Sequence, residues 1–555
     1  MSWAPGDRVG GADNSAPTMG NESDGLSALT FNGEIYNFEE LRAEMVAQGH
    51  VFAGHSDTEV LLRMLAVEGA GCLPRLAGMF AFGYWDDVRG EGLLARDAHG
   101  IKPLYFRADD QGVVFASEAR LLSRDGDRLD PTALRDYFLW GSVAEPMTLM
   151  QSVRQLPAGH LLRWRYGEQA GIERWHQPPS PPAVHGKKRH DYTHVVAETR
   201  AALEESVRRH LVSDVPVGLF LSGGIDSTAL LALTRAILGP DADVRTFSIG
   251  FDDPAYDESA LARQTAAHFG ARHTEWRLTP EQGTAEIPAF LAAVDQPSID
   301  GFNTWCVAKL ARREGMKVVL SGLGGDEWFA GYGSFQRVPM FHRWYQRLGV
   351  ARPVMGWLLQ QMPAGSRWRR LADFFQGEGS WLHAFHAQRG IFTVDEATEL
   401  ATRLAGEPPP SSPQWTSADL PADPVSIVSH LEVHRYMRNQ LLRDSDVFSM
   451  AHGLELRVPL VDARLSEVLL RLSPEDRLQH GKKLLLDAIP EIPAWVRNQP
   501  KRGFRFPFDV WVKDHFGGLL EQAEALSSVP LKAWYRTWAV AAVSSVLNQQ
   551  KKDQA

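Results

Sequence analysis

Residues 222–227 read Ser-Gly-Gly-Ile-Asp-Ser, and their types and order suit a loop that holds phosphate. They stand between the apolar run Val-Gly-Leu-Phe-Leu, ending at Leu221, and the helix-like stretch Thr-Ala-Leu-Leu-Ala-Leu-Thr-Arg-Ala-Ile-Leu. A strand that enters a glycine loop and leaves it as a helix lets the backbone approach an anion closely. The first helical turn then presents its unpaired N–H groups to that anion. Ser222 and Ser227 add hydroxyls beside Gly223 and Gly224. Asp226 would repel phosphate directly, but its carboxylate suits Mg2+, which bridges to phosphate oxygens. A second junction reads Lys-Val-Val-Leu-Ser-Gly-Leu-Gly-Gly-Asp-Glu. Ser321, Gly322, Gly324 and Gly325 form a flexible turn at the carboxyl end of a strand, where open α/β sheets bind ligands. Asp326 there is expected to be a second magnesium ligand.

The hexapeptide resembles the PP-loop of the ATP pyrophosphatases, which cleave ATP between the α and β phosphates. It has no lysine and so differs from the G-x-x-x-x-G-K-[ST] loop of enzymes that transfer the γ-phosphate. The resemblance implies AMP and pyrophosphate as products. SDVPVGLFLSGGIDSTAL, SGLGGDEWFAGY and RDSDVFSMAHGLELRVPLVD together resemble the glutamine-hydrolysing asparagine synthetases, in family order, from about residue 17 to about residue 515. That resemblance implies an ATP-dependent amidotransferase. A carboxylate, aspartate first among candidates, attacks the α-phosphorus of ATP, and the acyl adenylate then meets ammonia. By the same resemblance Leu221 joins the loop residues in the ATP-binding set, Ile249, Ser321 and Gly322 contact the adenine and ribose, and Glu455 and Lys501 lie close to the reacting carboxyl. Some members carry a Glu directly after the Ser-Gly of the second turn, associated with forming the aspartyl adenylate. Here that position is Leu323, which puts the identity of the acid in question.

Phe31-Asn32-Gly33-Glu34-Ile35-Tyr36-Asn37, Ser56-Asp57-Thr58-Glu59, RLAGMFAF, RDAHGIKPLY and FASEARLL resemble the class II glutamine amidotransferase domain. In that family the Asn and Gly of the NGE run build an oxyanion hole, and the Asp of the SD pair holds the glutamine α-amino group. A tetrahedral oxyanion needs preorganised donors of that kind. The glutamine-binding set expected here is Asn32, Gly33, Glu34 and Asp57. The family nucleophile is a Cys at the start of the mature chain, with its own amine as base. Position 2 here is Ser2, and the arginine segment that grips the glutamine carboxylate has no counterpart. The expectation is a truncated gene or a misplaced start, a vestigial glutamine site, and use of ammonia by this chain.

These loops need two kinds of scaffold. Before residue 177, short strand-like runs alternate with turns and one clear helix, FEELRAEMVAQG, the pattern of an α+β domain with antiparallel sheet. Residues 177–191 are rich in Pro, His and charge, and read as a linker. From 192 onward, strands apolar on both faces (VGLFL, RTFSIGF, MKVVLSG) alternate with helices, which indicates a doubly wound parallel sheet. A helical extension follows beyond about 335. The fold class expected is therefore α/β, an incomplete Ntn-type glutaminase-like sandwich over 1–176 joined to an ATP pyrophosphatase domain over 192–555. LKAWYRTWAVAAV near the C-terminus reads as core or partner packing rather than a cofactor box.

The 555 residues carry a net charge of −10, a balance that speaks against a nucleic-acid partner. The first residues lack an apolar core, and no apolar run approaches the roughly 20 residues of a membrane span. A cytoplasmic enzyme without a membrane partner is expected, and a homodimer is compatible with it. The 19 histidines show no HExxH-type spacing, so zinc is not expected. Cys72 and Cys306 read as buried free thiols. Two alternatives stay open: the same machinery acting on another acid, as in β-lactam synthetases, lasso-peptide cyclases or surface-polysaccharide modification, and a non-catalytic ATP-binding protein.

Overall fold

In the computed structural model, residues 18–22, 25–109, 112–179, 191–413, 415, 420–499, 506–515 and 517–553 are described. They fall into two units. The first comprises residues up to Asp127 with Glu145–Pro178 and Asp462–Arg464; the second comprises Arg128–Ala144, Pro179–Val461 and Leu465 onward.

The first unit is built on nine strands: β1 (Thr18–Glu22), β2 (Gly25–Ile35), β3 (Gly78–Asp86), β4 (Glu91–Arg96), β5 (Tyr105–Asp109), β6 (Gly112–Ala116), β7 (Arg154–Gln155), β8 (His160–Arg165) and β9 (Gly171–Arg174). An antiparallel sheet in the order β1-β2-β3-β4-β8-β9 stacks on a smaller sheet, β6-β5-β7. Side chains alternate across a strand, and β3 shows what each face covers. Phe80 and Phe82 join the cluster of Leu41, Val60 and Leu65 from helices Phe38–Ala47 and Asp57–Glu68. Ala81 joins Leu104, Phe106 and Phe115 between the sheets. A side chain at Gly83 would run into the Phe115 ring. The helix, sheet, sheet layering matches the sandwich expected from the sequence.

The second unit holds a parallel sheet of β10 (Val217–Phe220), β11 (Arg245–Gly250), β12 (Arg272–Arg277), β13 (Val318–Leu320) and β14 (Glu455–Arg457), ordered β12-β11-β10-β13-β14. The chain leaves β10 toward β11 on one side and returns to β13 on the other. The strand order therefore reverses at β10, and a crevice opens there at the carboxyl ends of β10 and β13. Two strands escape sequence reading. β12 is a half-exposed edge strand of mixed Arg, His, Glu and Trp, and β14 spans only three residues. Helices fill the rest. Trp538, on the helix Trp534–Asp553, is buried and packs on Phe290 and Phe508, so of the two packing roles expected for the aromatic C-terminal run, core and partner, Trp538 takes the first. Cys72 and Cys306 are both buried and unbridged.

Candidate active site

The phosphate-type loop follows β10. Leu221 still belongs to the sheet, its N–H donating to the Phe247 carbonyl at 2.9 Å. The chain then turns at Gly223, whose φ of +73° is open to glycine and whose side of the loop is closed by Leu261 and Ala262. Ser222 and Ser227 lock the turn: their hydroxyls stand 3.2 Å apart, Ser222 Oγ accepts from the Gly224 N–H at 3.3 Å, and Ser227 Oγ donates to the Gly224 carbonyl at 3.2 Å. The helix Ile225–Leu238 starts immediately, with Asp226 in its first turn.

The second loop leaves β13 and is pressed against the first. A Cβ at Gly322 would sit 3.0 Å from the Asp226 Cβ and from the Ser227 nitrogen. A Cβ at Gly325 would strike the Asp226 carboxylate, and one at Gly331 would strike Asp326. Glycine at these positions is what lets the two acidic residues approach. Both then meet one cation. Lys482 Nζ lies 2.5 Å from Asp226 Oδ2 and 2.6 Å from Asp326 Oδ1, and its side chain is 3% exposed. Burial alone would discharge this ammonium, but the two aspartates outweigh it and hold its pKa above the ordinary lysine value. Lys482 adopts a left-handed backbone, φ +61°. It is the residue that sequence reading missed. In Gly-Lys-Lys it looks like one of two ordinary charges at a turn, and no spacing signal links it to loops more than a hundred residues away.

Of the other expected site residues, Ile249 is buried on β11, and Ser321 and the half-buried Leu323 lie on the second loop. Glu455 is not brought to this place. It opens β14 opposite Val318, at the amino end of the sheet, whereas both loops follow the carboxyl ends. Its carboxylate accepts from Arg457 Nε at 2.6 Å. Strand polarity therefore sets Glu455 at the opposite end of β14 from the two loops, where its carboxylate is held by Arg457. Lys501 lies outside the described residues.

In the first unit, β2 carries Asn32, Gly33 and Glu34 in line. Gly33 has φ +145°, and a side chain there would collide with the Met79 carbonyl on β3. The amide of Asn32 donates to Ser117 Oγ at 3.4 Å, and Asp57 Oδ2 accepts the Ile35 N–H at 3.0 Å. Asp57 opens its helix behind the cap Ser56, which accepts the Glu59 N–H at 3.2 Å. The fold thus brings Asp57 to the end of the strand that carries the NGE run.

The profile of the asparagine synthase family matches residues 198–555, and that of the glutamine amidotransferase domain matches residues 10–176. The chain belongs to the asparagine synthase family. A Mycobacterium bovis protein named as an asparagine synthetase, glutamine-hydrolyzing, is 35% identical over 523 residues, covering 90% of this chain and 77% of that relative. Asparagine synthetase (glutamine-hydrolyzing) 1 of Bacillus subtilis is 31% identical over 498 residues, covering 88% and 77%. The chain is accordingly an enzyme of this family, a carbon–nitrogen ligase with a glutamine amidotransferase domain.

Family membership gives the Glu327 carboxyl a context. Burial first, then repulsion by Asp326 and Glu432, pushes it from 4.5 up to about 8, and Tyr332 Oη donates to it at 2.9 Å. An acid raised in the folded state stabilises the fold below its unfolded value and loses that contribution as pH climbs to the folded one. Glu327→Gln should flatten the dependence of melting temperature on pH between about 4.5 and 8. Above that window it should stabilise the protein on the order of a few kcal/mol. Thermal melts of parent and variant across the window check this; parallel profiles would show that Glu327 is not the titrating group.

Proposed function

We propose that the two loops bind ATP and that this unit adenylates a carboxylic acid, releasing pyrophosphate, before ammonia displaces AMP to give the amide. The observation that carries the reading is the pair of loops meeting at the strand-order reversal, with Asp226 and Asp326 converging on one cationic atom. Gly223, Gly224, Ser222 and Ser227 hold the β and γ phosphates from the helix end. Ser321, Gly322 and Ile249 line the nucleoside side. Lys482 supplies fixed positive charge beside the phosphates, and Lys501 is proposed to act at the α-phosphate.

Two carboxylates gathered on one cation are a hard-oxygen set that fits Mg2+, which takes one or two such ligands and completes its shell with phosphate oxygens and water. Asp226 and Asp326 would hold it, and when bound it neutralises triphosphate charge.

Aspartate is the first acid to test. A cavity of about 580 Å³ in the same unit favours trying larger acids as well. Asp300, Arg389 and Tyr436 line it among aromatic walls, and Arg389 stacks at 4.3 Å on the Tyr332 ring that reaches Glu327. The deciding experiment is exchange of labelled pyrophosphate into ATP, run with aspartate and with a panel of larger acids. Exchange that requires an acid is expected. ATP binding without exchange for any acid would support a non-catalytic ATP-binding protein instead.

A further inference from the structure

The helices Ser334–Leu348, Arg352–Gln360 and Arg367–Gln376 carry a surface that the chemistry of ATP does not use. The middle helix is built inside out. Its one buried residue is Gly356, where a Cβ would come within 2.6 Å of Gln376 on the next helix. The opposite face, at helical spacing, is apolar and in solvent: Val354 is 60% exposed, Trp357 59% and Leu358 51%, with Val350 at 99% on the preceding turn. Trp344 and Trp368 are exposed on the flanking helices. Apolar side chains at such spacing ordinarily face a core, and a patch of this kind in solvent marks an interaction surface.

The charge around the patch says what covers it. No Asp or Glu occurs from Trp328 to Ala372, while the same stretch carries seven arginines, in a chain whose net charge is −10. Arg343, Arg347 and Arg367 are exposed, and Arg367 lies over the Trp368 ring at 4.9 Å. Tryptophans and aliphatic residues on one face with arginines around them are the signature of a segment that lies in a bilayer interface. Among the described residues no helix is long and apolar enough to cross a membrane, so the surface would rest on the bilayer without spanning it.

We propose that this arginine-rich helical segment docks on an anionic lipid bilayer. Val350, Val354, Trp357 and Leu358 enter the headgroup boundary, and Arg343, Arg347 and Arg367 meet headgroup phosphates. Composition alone pointed to no membrane partner, because a whole-chain average conceals a local run free of acidic residues.

Co-flotation of the full chain with vesicles tests this, using phosphatidylcholine alone and phosphatidylcholine partly replaced by phosphatidylglycerol. The chain should float with the anionic vesicles and be released by salt. Trp357→Ser with Leu358→Ser should lower the partition coefficient about tenfold or more by removing the inserted surface. Arg343→Glu with Arg347→Glu should do the same by reversing two headgroup contacts. Both variants replace exposed residues and should keep the parent's melting temperature and ligase activity. Absence of flotation with anionic vesicles would overturn the proposal, as would flotation that neither variant alters. A parent that self-associates without floating, and that turns monomeric on Trp357→Ser, would show that a second copy covers this face instead.

Discussion

Asp226→Asn is expected to lower acid-dependent ATP–pyrophosphate exchange by about two orders of magnitude or more while the protein stays folded. The substitution keeps the shape that fits against Gly322 and Gly325 and deletes one of the two charges on which the site converges. Each factor of ten in rate corresponds to about 1.4 kcal/mol, and losing one preorganised electrostatic partner at a reacting centre costs on the order of 3 kcal/mol. The fold should tolerate the change. Lys482 retains Asp326 at 2.6 Å, and Asp226 sits in the first helical turn, where an amide also serves. Pyrophosphate exchange and a thermal melt on the same preparation check the claim. Exchange near the parent's rate in a folded variant would place the phosphate-side charge on other residues.

Lys482→Met should damage both stability and activity. Its ammonium is buried, 2.5 and 2.6 Å from two carboxylates, and removing it leaves like charges facing each other across the space it filled. Breaking a buried ion pair from one side typically costs about 3–5 kcal/mol. The loss has a pH signature. With the cation gone, one carboxylate of the pair holds a proton more readily, so the stability deficit should shrink as pH falls through the carboxylate range. A deficit independent of pH would mean that Lys482 contributes packing alone. Combining Lys482→Met with Asp226→Asn should give less than the sum of the two losses, because both act on one cluster.

What the sequence made legible was local. Val217–Leu221 is apolar on every side, the glycine pair and serines follow at once, and a helix opens directly after them; neighbouring residues determine all three features. The central strands β10, β11 and β13 were readable for the same reason, since a strand covered on both faces has no polar period. The edges were not. β12 is half-exposed along its whole length, and its place beside β11 is a property of a crossover that no short window contains. Glu455 illustrates the cost: its motif drew attention to it, yet only the direction of β14 reveals that it lies at the end of the sheet away from the two glycine loops. Lys482 was hidden by distance along the chain, because its partners Asp226 and Asp326 come from two earlier loops and a left-handed turn aims it between them. In the first unit, Asn32, Gly33 and Asp57 could be picked out by resemblance, but the hydrogen bond from the Ile35 N–H to Asp57 appears only once the helix is folded against the end of β2.

The most direct test of the account is the fate of the nucleotide. The protein is incubated with ATP, Mg2+, ammonium and the acid that supports exchange, and the phosphorus products are followed by NMR as amide accumulates. A loop of this type, with Asp226 and no γ-phosphate lysine, predicts AMP and pyrophosphate in step with the amide. ADP and inorganic phosphate in step with the amide would contradict it, because the acid would then be activated as an acyl phosphate rather than an adenylate.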